Sequence, residues 1–124
     1  MDRSRVDIAK MGEALAVKHL KARGCKILAQ NYRARRGEID IIVRDGEFTV
    51  FVEVKTRRSL KFGVPQAAVT WQKQKQISKV ALAYLQSRNL LDAPCRFDVI
   101  AIHLSPQLKV LNLEQIESAF EFQA

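Results

Sequence analysis

The sequence predicts an α/β domain, a mixed β-sheet with helices packed against it, and three patterns carry that reading. Apolar residues follow helical spacing from Ser4 to about Arg23 and again from Thr70 to about Arg88. Between these segments the spacing changes to period two, through residues 37–55. Two more short apolar runs, Arg96 to Leu104 and Leu108 to Leu113, follow the second helix. A chain of 124 residues that is 48% hydrophobic is large enough for one core and too small for two ordinary ones, so residues 1–124 are read as a single domain.

In the first helix Ile8, Ala9, Met11, Leu15, Ala16 and Leu20 form one arc of the wheel, and Lys10, Lys18 and Lys21 lie opposite. Glu13 sits at the margin of the arc. It is open to two readings, a surface group reaching past the apolar edge or an acid directed into a cleft. Lys26 to Tyr32 reads as a short strand that leads through the basic loop Arg33-Ala34-Arg35-Arg36 into a hairpin. There Ile39, Ile41 and Val43 alternate with Glu38, Asp40 and Ile42, while Phe48, Val50, Val52 and Val54 alternate with Thr49, Phe51, Glu53 and Lys55. With Asp45-Gly46 as a two-residue turn, Arg44 is expected to pair with Glu47, Asp40 with Phe51 and Glu38 with Glu53. Pro65 and Thr70 open the second helix, in which Ile77, Val80, Ala81, Tyr84 and Leu85 face inward. Lys73, one turn before Ile77, falls on that inward side, and Trp71 is assigned to packing rather than base stacking. The last two strands flank Ser105-Pro106-Gln107, and Asn112 is expected to cap a closing helix through Phe120.

Ionised groups are disfavoured inside strands unless something pairs with them, so the acids of the hairpin call for an explanation. On the expected register one face is apolar and the other gathers Glu38, Asp40, Glu53 and Lys55, with Asp40 and Glu53 about 7–8 Å apart as diagonal neighbours. Carboxylates that close repel unless a cation lies among them. Mg²⁺ takes oxygen ligands from one or two carboxylates and leaves other positions to water and phosphate. Lys55 projects from the same face and can orient a water or meet a developing phosphate charge. The alternative is a solvated sheet face on which Glu53 and Lys55 merely balance. Ile42 and Phe51 share that face, which favours its being partly covered.

Gly12-Glu13, Asn31-Tyr32-Arg33, Gly37-Glu38-Ile39-Asp40, Phe51-Val52-Glu53-Val54-Lys55-Thr56-Arg57, Phe62-Gly63, Val69-Thr70 with Lys73, and Arg96-Phe97-Asp98-Val99 together resemble the small bacterial YraN-like proteins, from about Ile8 to Ile102. The resemblance implies a restriction-endonuclease-like fold of the PD-(D/E)xK nuclease superfamily, which includes Holliday-junction resolvases. It implies that Asp40 is the motif aspartate, Glu53 the second acid, Lys55 the motif lysine and Glu13 a helix-borne acid. Asp40, Glu53 and the Val54 carbonyl would then ligate Mg²⁺ or Mn²⁺, with Glu38 auxiliary. Ile39 stands where the motif has proline, which leaves the chemistry untouched. The Gln-x-x-x-Tyr element of some relatives is not reproduced, since Val80 follows Gln76 by four. Superfamily members often dimerise, so a homodimer is one expected assembly.

Net charge is +8, with 21 Lys+Arg against 13 Asp+Glu and a pI of about 9.9. Such a balance suits a phosphate polymer, though it also suits solubility or an acidic protein. The clustering is more informative: Arg33, Arg35 and Arg36 precede the acidic hairpin, Lys55, Arg57, Arg58 and Lys61 follow it, and Lys73 adjoins it. Of these, Arg33, Arg35, Arg36, Arg57, Arg58 and Lys73 are the candidate nucleic-acid-binding residues. No base-reading motif is present, so recognition by shape or backbone is expected. No apolar run reaches the roughly 20 residues of a membrane span, and the N-terminus lacks a signal-peptide apolar region, so the expected location is the cytoplasm with no membrane partner. Cys25 and Cys95 have no metal-ligand spacing and read as reduced fillers, and His19 and His103 receive no role. Three functions are therefore weighed: an Mg²⁺-dependent DNA endonuclease or a structure-specific, resolvase-like nuclease; a non-catalytic nucleic-acid-binding module on the same fold; and an interaction protein with a solvated acidic face.

Overall fold

A computed structural model describes residues 5–59 and 69–124. The elements run α1 (Arg5–Ala22), β1 (Lys26–Ala34), β2 (Gly37–Asp45), β3 (Phe48–Arg58), α2 (Trp71–Ser87), β4 (Cys95–Leu104) and β5 (Val110–Phe120). The five strands form one mixed sheet in sequence order. Only the β3–β4 pairing is parallel, and α2 supplies the crossover that a parallel pair requires.

The sheet separates two apolar clusters, one helix to each face. Ala16 and Leu20 of α1 pack on Ile41, Val43, Val50, Val52, Ile100 and Ile102. Ile77, Val80, Ala81, Tyr84 and Leu85 of α2 pack on Ile42, Phe51, Phe97 and Val99. Each of these large side chains removed from water contributes about 1.5–3 kcal/mol. Because β3 and β4 are covered on both faces, Val50, Phe51 and Val52 of β3 and Val99 to Ile102 of β4 are apolar and buried without interruption. Among the described residues no helix is long and apolar enough to cross a membrane.

Gly12 sets the distance between α1 and the sheet. A Cβ at this buried position would stand 1.8 Å from Thr56 Oγ1 on β3, so only a bare Cα allows the helix to lie this close. Gly12→Ala is expected to cost roughly 1–3 kcal/mol by overpacking. It should also lift the neighbouring Glu13 from its place, and a denaturant midpoint lowered at unchanged slope is the measurement that checks the energetic part.

The hairpin differs from the expected one in two respects. Asp45 pairs with Phe48, so the turn is Gly46-Glu47, and Ile42 pairs with Phe51. Gly46 takes φ +60 as the first of the two central residues, the position a type II′ turn reserves for glycine. The displacement is two residues, which retains the facing of each side chain but carries Asp40 from a place opposite Phe51 to one step beyond the last ladder pair, Ile41–Val52. Ile39 also joins the α2-side cluster instead of the face of Ile41 and Val43. The β1–β2 ladder passes from Gln30–Ile41 to Tyr32–Ile39, and between them Asn31 adopts φ +51. That local twist breaks the alternation.

Three further expectations are corrected. The closing helix is instead β5, antiparallel to β4 from Phe97–Phe120 to Leu104–Val110; the open edge of β4 overrides a locally helix-compatible sequence. Arg33 and Ala34 belong to β1 rather than to a loop, leaving Arg35 and Arg36 as the turn. Trp71 is 61% exposed and does not pack in the core. Lys61, Phe62, Gly63 and Pro65 lie outside the described residues. α2 begins where expected, with the Thr70 hydroxyl accepting from the Lys73 amide at 3.2 Å.

Candidate functional site

The acids lie at the end of the sheet where β2 and β3 part. Beyond Ile41–Val52, Asp40 replaces the missing ladder bond with its side chain, and Oδ2 accepts from the Val54 amide at 2.8 Å. In a strand the N–H and C=O of one residue point to the same side. The Val54 carbonyl is therefore directed towards Asp40 as well. Glu53 hydrogen-bonds Asp40. Its side chain is only 11% exposed, and Lys73 of α2 reaches its Oε2 at 3.7 Å. That burial rules out the solvated-face reading for Glu53.

Burial first, then the hydrogen bond and the charge of Asp40, push the Glu53 carboxyl up to about 8, against the opposing pull of Lys73 and Lys55. The folded protein thus holds a proton that the unfolded chain releases above an ordinary value of 4.5. The resulting stability is fully present below pH 4.5 and is lost as pH rises towards 8, at no more than about 1.4 kcal/mol per pH unit. In chelator, the melting temperature of the protein is expected to fall across this window, and Glu53→Gln should flatten the fall. Parallel pH profiles of both proteins would refute the coupling.

A second pair of acids adjoins the first. Glu13 of α1 and Glu38 of β2 are joined by Asn31, whose amide nitrogen donates to Glu13 Oε1 at 3.0 Å and to Glu38 Oε1 at 2.9 Å in the orientation that satisfies both. Burial, then Asp40, then Glu38 raise the Glu13 carboxyl. Glu13 lines the same cavity as Asp40. Asn31 has no role in the sequence reading; an asparagine in a left-handed conformation amid a strand is a signal that only coordinates reveal.

A cavity of about 680 Å³ opens between α1 and the end of the sheet, lined by Glu13, Asp40, Val54, Lys55, Arg57 and Arg58 among others. Arg58 is partly committed elsewhere, donating from Nε to the Pro106 carbonyl at 2.9 Å. Arg33 lies 3.5 Å from Glu38 and is largely exposed, and Arg35 and Arg36 are exposed at the β1–β2 turn. The fold thus gathers Glu13, Glu38, Asp40, Glu53, Val54, Lys55 and Lys73 at one end, with arginines on either side.

Among the described residues no three acidic, histidine or cysteine side chains converge as a ready-made ion cage. The acids gather in pairs, and in the Asp40–Glu53 pair burial and the neighbouring charge favour the protonated form of Glu53. A divalent cation in place of that proton fits this donor set, because Mg²⁺ needs only one or two carboxylates and completes its shell with carbonyl, water and phosphate oxygens.

A second polar cluster escaped the sequence reading. Asp98, fully buried, accepts from Arg96 Nε at 3.1 and 3.2 Å, Gln115 Nε2 at 3.0 Å and the Ser118 amide at 3.0 Å. Arg96 also reaches Asp45 Oδ2 at 2.7 Å, so this network ties β5 and the hairpin turn to β4. Its signal was the charged pair Arg96 and Asp98 inside an apolar strand. Cys25 is buried and Cys95 partly buried, and both are free thiols.

The model of the family described as "Uncharacterised protein family UPF0102" matches residues 12–102, a span that holds Glu13, Asp40, Glu53 and Lys55. The UPF0102 protein of Geotalea daltonii is 54% identical over 114 residues, 92% of this chain and 89% of that protein. Those of Syntrophus aciditrophicus and Dictyoglomus turgidum are 53% identical over 112 residues (90% of this chain, 87% of that protein) and 46% identical over 114 residues (92% and 97%). Among solved structures, Pyrococcus furiosus SfsA in complex with Ca²⁺ aligns at 18% identity with a TM-score of 0.39, over 88% of this chain and 60% of that one.

Proposed function

The chain belongs to the UPF0102 (YraN-like) family, and from that premise we propose that it is a metal-dependent DNA endonuclease built on a restriction-endonuclease-like fold. The observation that carries the reading is the Asp40–Glu53 carboxylate pair, half sealed from water at the parted end of two strands, with the Val54 carbonyl and Lys55 beside it. Asp40, Glu53 and the Val54 carbonyl would hold Mg²⁺ or Mn²⁺. When bound, such an ion polarises a phosphoryl oxygen and makes a water more acidic.

The chain's own groups supply the rest. The Val54 amide fixes Asp40 Oδ2 and so sets the direction of the other carboxylate oxygen. Lys73 steadies Glu53 from the α2 side. Lys55 is among the residues that line the cavity, where its ammonium would orient the attacking water or meet charge developing on the phosphate. Glu13 and Glu38, linked by Asn31, form the acidic margin, and Arg33, Arg35, Arg36 and Arg57 are placed to hold backbone phosphates. The arrangement favours recognition of shape, as in a resolvase-like enzyme.

The second reading, a non-catalytic nucleic-acid-binding module, is favoured by the absence of a three-acid cage among the described residues. Metal titration separates the two. At neutral pH, Mg²⁺ or Mn²⁺ is expected to stabilise the protein by about 2.7 kcal/mol at one hundred times its dissociation constant. It should also displace the proton from Glu53, seen as a buffer-dependent heat in calorimetry. A protein whose melting temperature and heats ignore both ions fits the module and not the enzyme.

A further inference from the structure

The N-terminal half of α2 carries a surface with residues, Trp71, Lys75 and Lys79, that the proposed chemistry does not use. Trp71 is 61% exposed, on a helix whose inward residues already fill the α2-side core. It stands at the edge of a groove of about 600 Å³ that Arg36, Lys73, Lys75, Gln76 and Lys79 also line. No acidic side chain lines this groove among the described residues, and the first turn of α2 has none. Trp71, Lys75 and Lys79 follow one another at four-residue spacing, so they share one helix face. Lys75 Nζ lies 4.4 Å from the centre of the indole ring. Gln76 Nε2 donates to the Arg36 carbonyl at 2.8 Å, which holds the basic β1–β2 turn against the helix. Lys73 is common to both regions, since it reaches Glu53 on one side and lines the groove on the other.

We infer that this groove binds a single-stranded nucleic-acid segment, with one base stacked on Trp71 and neighbouring phosphates on Arg36, Lys75 and Lys79. A nucleotide combines a flat π surface with an anion a few ångströms away, and the groove offers the complement of each. Lys75 can move from the ring to a phosphate as a base takes its place. A duplex keeps its bases stacked inside and offers only its phosphates, so the exposed indole selects for unpaired bases. The inference rests on the proposed nuclease reading only in its consequence: a strand lying in the groove would pass over Lys73 to the Asp40–Glu53 pair, so the substrate would carry an unpaired stretch beside the cleaved bond.

Trp71 is the sole tryptophan, so intrinsic fluorescence reports on this surface alone. The full chain, in EDTA, is titrated with a single-stranded oligothymidylate, with an oligonucleotide duplex and with heparin, while polarisation of labelled oligonucleotide follows total binding. Saturable quenching by the single strand is expected, weakening steeply with salt. Trp71→Ala should weaken single-strand binding at least tenfold, and Trp71→Phe should restore most of it. Trp71 is exposed, so both variants should fold. Equal quenching by heparin or duplex, single-strand binding without quenching, or unchanged affinity in Trp71→Ala would each overturn the inference. A blue shift with anionic vesicles and none with oligonucleotide would overturn it in favour of a membrane surface. Without metal no cleavage occurs, so this outcome is independent of whether the acidic pair is catalytic.

Discussion

Asp40→Asn is expected to abolish metal-dependent cleavage while the protein remains folded. The amide oxygen can still accept from the Val54 N–H that Asp40 Oδ2 now occupies, so the end of the strand keeps its anchor. A neutral amide is a poor ligand for a hard divalent ion, and removing one charge beside Glu53 relieves the repulsion that helps to raise the Glu53 carboxyl. In chelator the variant should therefore be at least as stable as the parent, and stabilisation by Mg²⁺ should vanish. Lys55→Ala is expected to separate from it, retaining the metal-dependent shift in melting temperature while turnover drops on the order of 10²–10³-fold, the effect of losing a charge aimed at the transition state. Nucleic-acid binding should survive in both, because the surrounding arginines supply most of that affinity.

Asp98→Ala is expected to have the largest effect on folding, about 3–5 kcal/mol. The carboxylate is fully buried and accepts from Arg96, Gln115 and the Ser118 amide, so truncation leaves three donors unsatisfied, one of them charged. Burial alone works against the Arg96 charge, yet its bonds to Asp45 and Asp98 outweigh that and hold the guanidinium above its ordinary value. The loss should appear as a melting temperature lower on the order of 10–20 °C. Because the hydrogen bonds of Asp98 go to Arg96, Gln115 and Ser118 and none of them reaches Asp40 or Glu53, whatever folded protein remains should keep its metal response.

The elements legible in the sequence were those whose pattern is repeated over several turns or pairs. α1, α2 and the period-two strands all followed from spacing. The hairpin register did not, because Asp45-Gly46 and Gly46-Glu47 are both plausible two-residue turns, and only the left-handed φ of Gly46 in the first central position selects the second. Ile39 was misplaced because alternation assumes an unbroken ladder, and Asn31 twists this one. β5 was read as a helix because Leu113 to Phe120 has no strong strand signal of its own; its structure comes from the open edge of β4 and from Asp98, whose bonds to Gln115 and Ser118 fix it there. Glu13 could be placed at the cleft only once Gly12 was seen against Thr56. Residue type assigns Trp71 to packing, whereas the inward face of α2 is already occupied by Ile77, Val80, Ala81, Tyr84 and Leu85.

The most direct test of the metal-dependent site is a cleavage assay with purified protein and Mg²⁺ or Mn²⁺ against duplex, single-stranded, flapped and four-way DNA, with Asp40→Asn and Glu53→Gln purified alongside. The account predicts cleavage of at least one branched or partly unpaired DNA by the parent protein, none in EDTA, and none by either variant. Cleavage that persists unchanged in both variants, or intact DNA of every form in the presence of either metal, would contradict it.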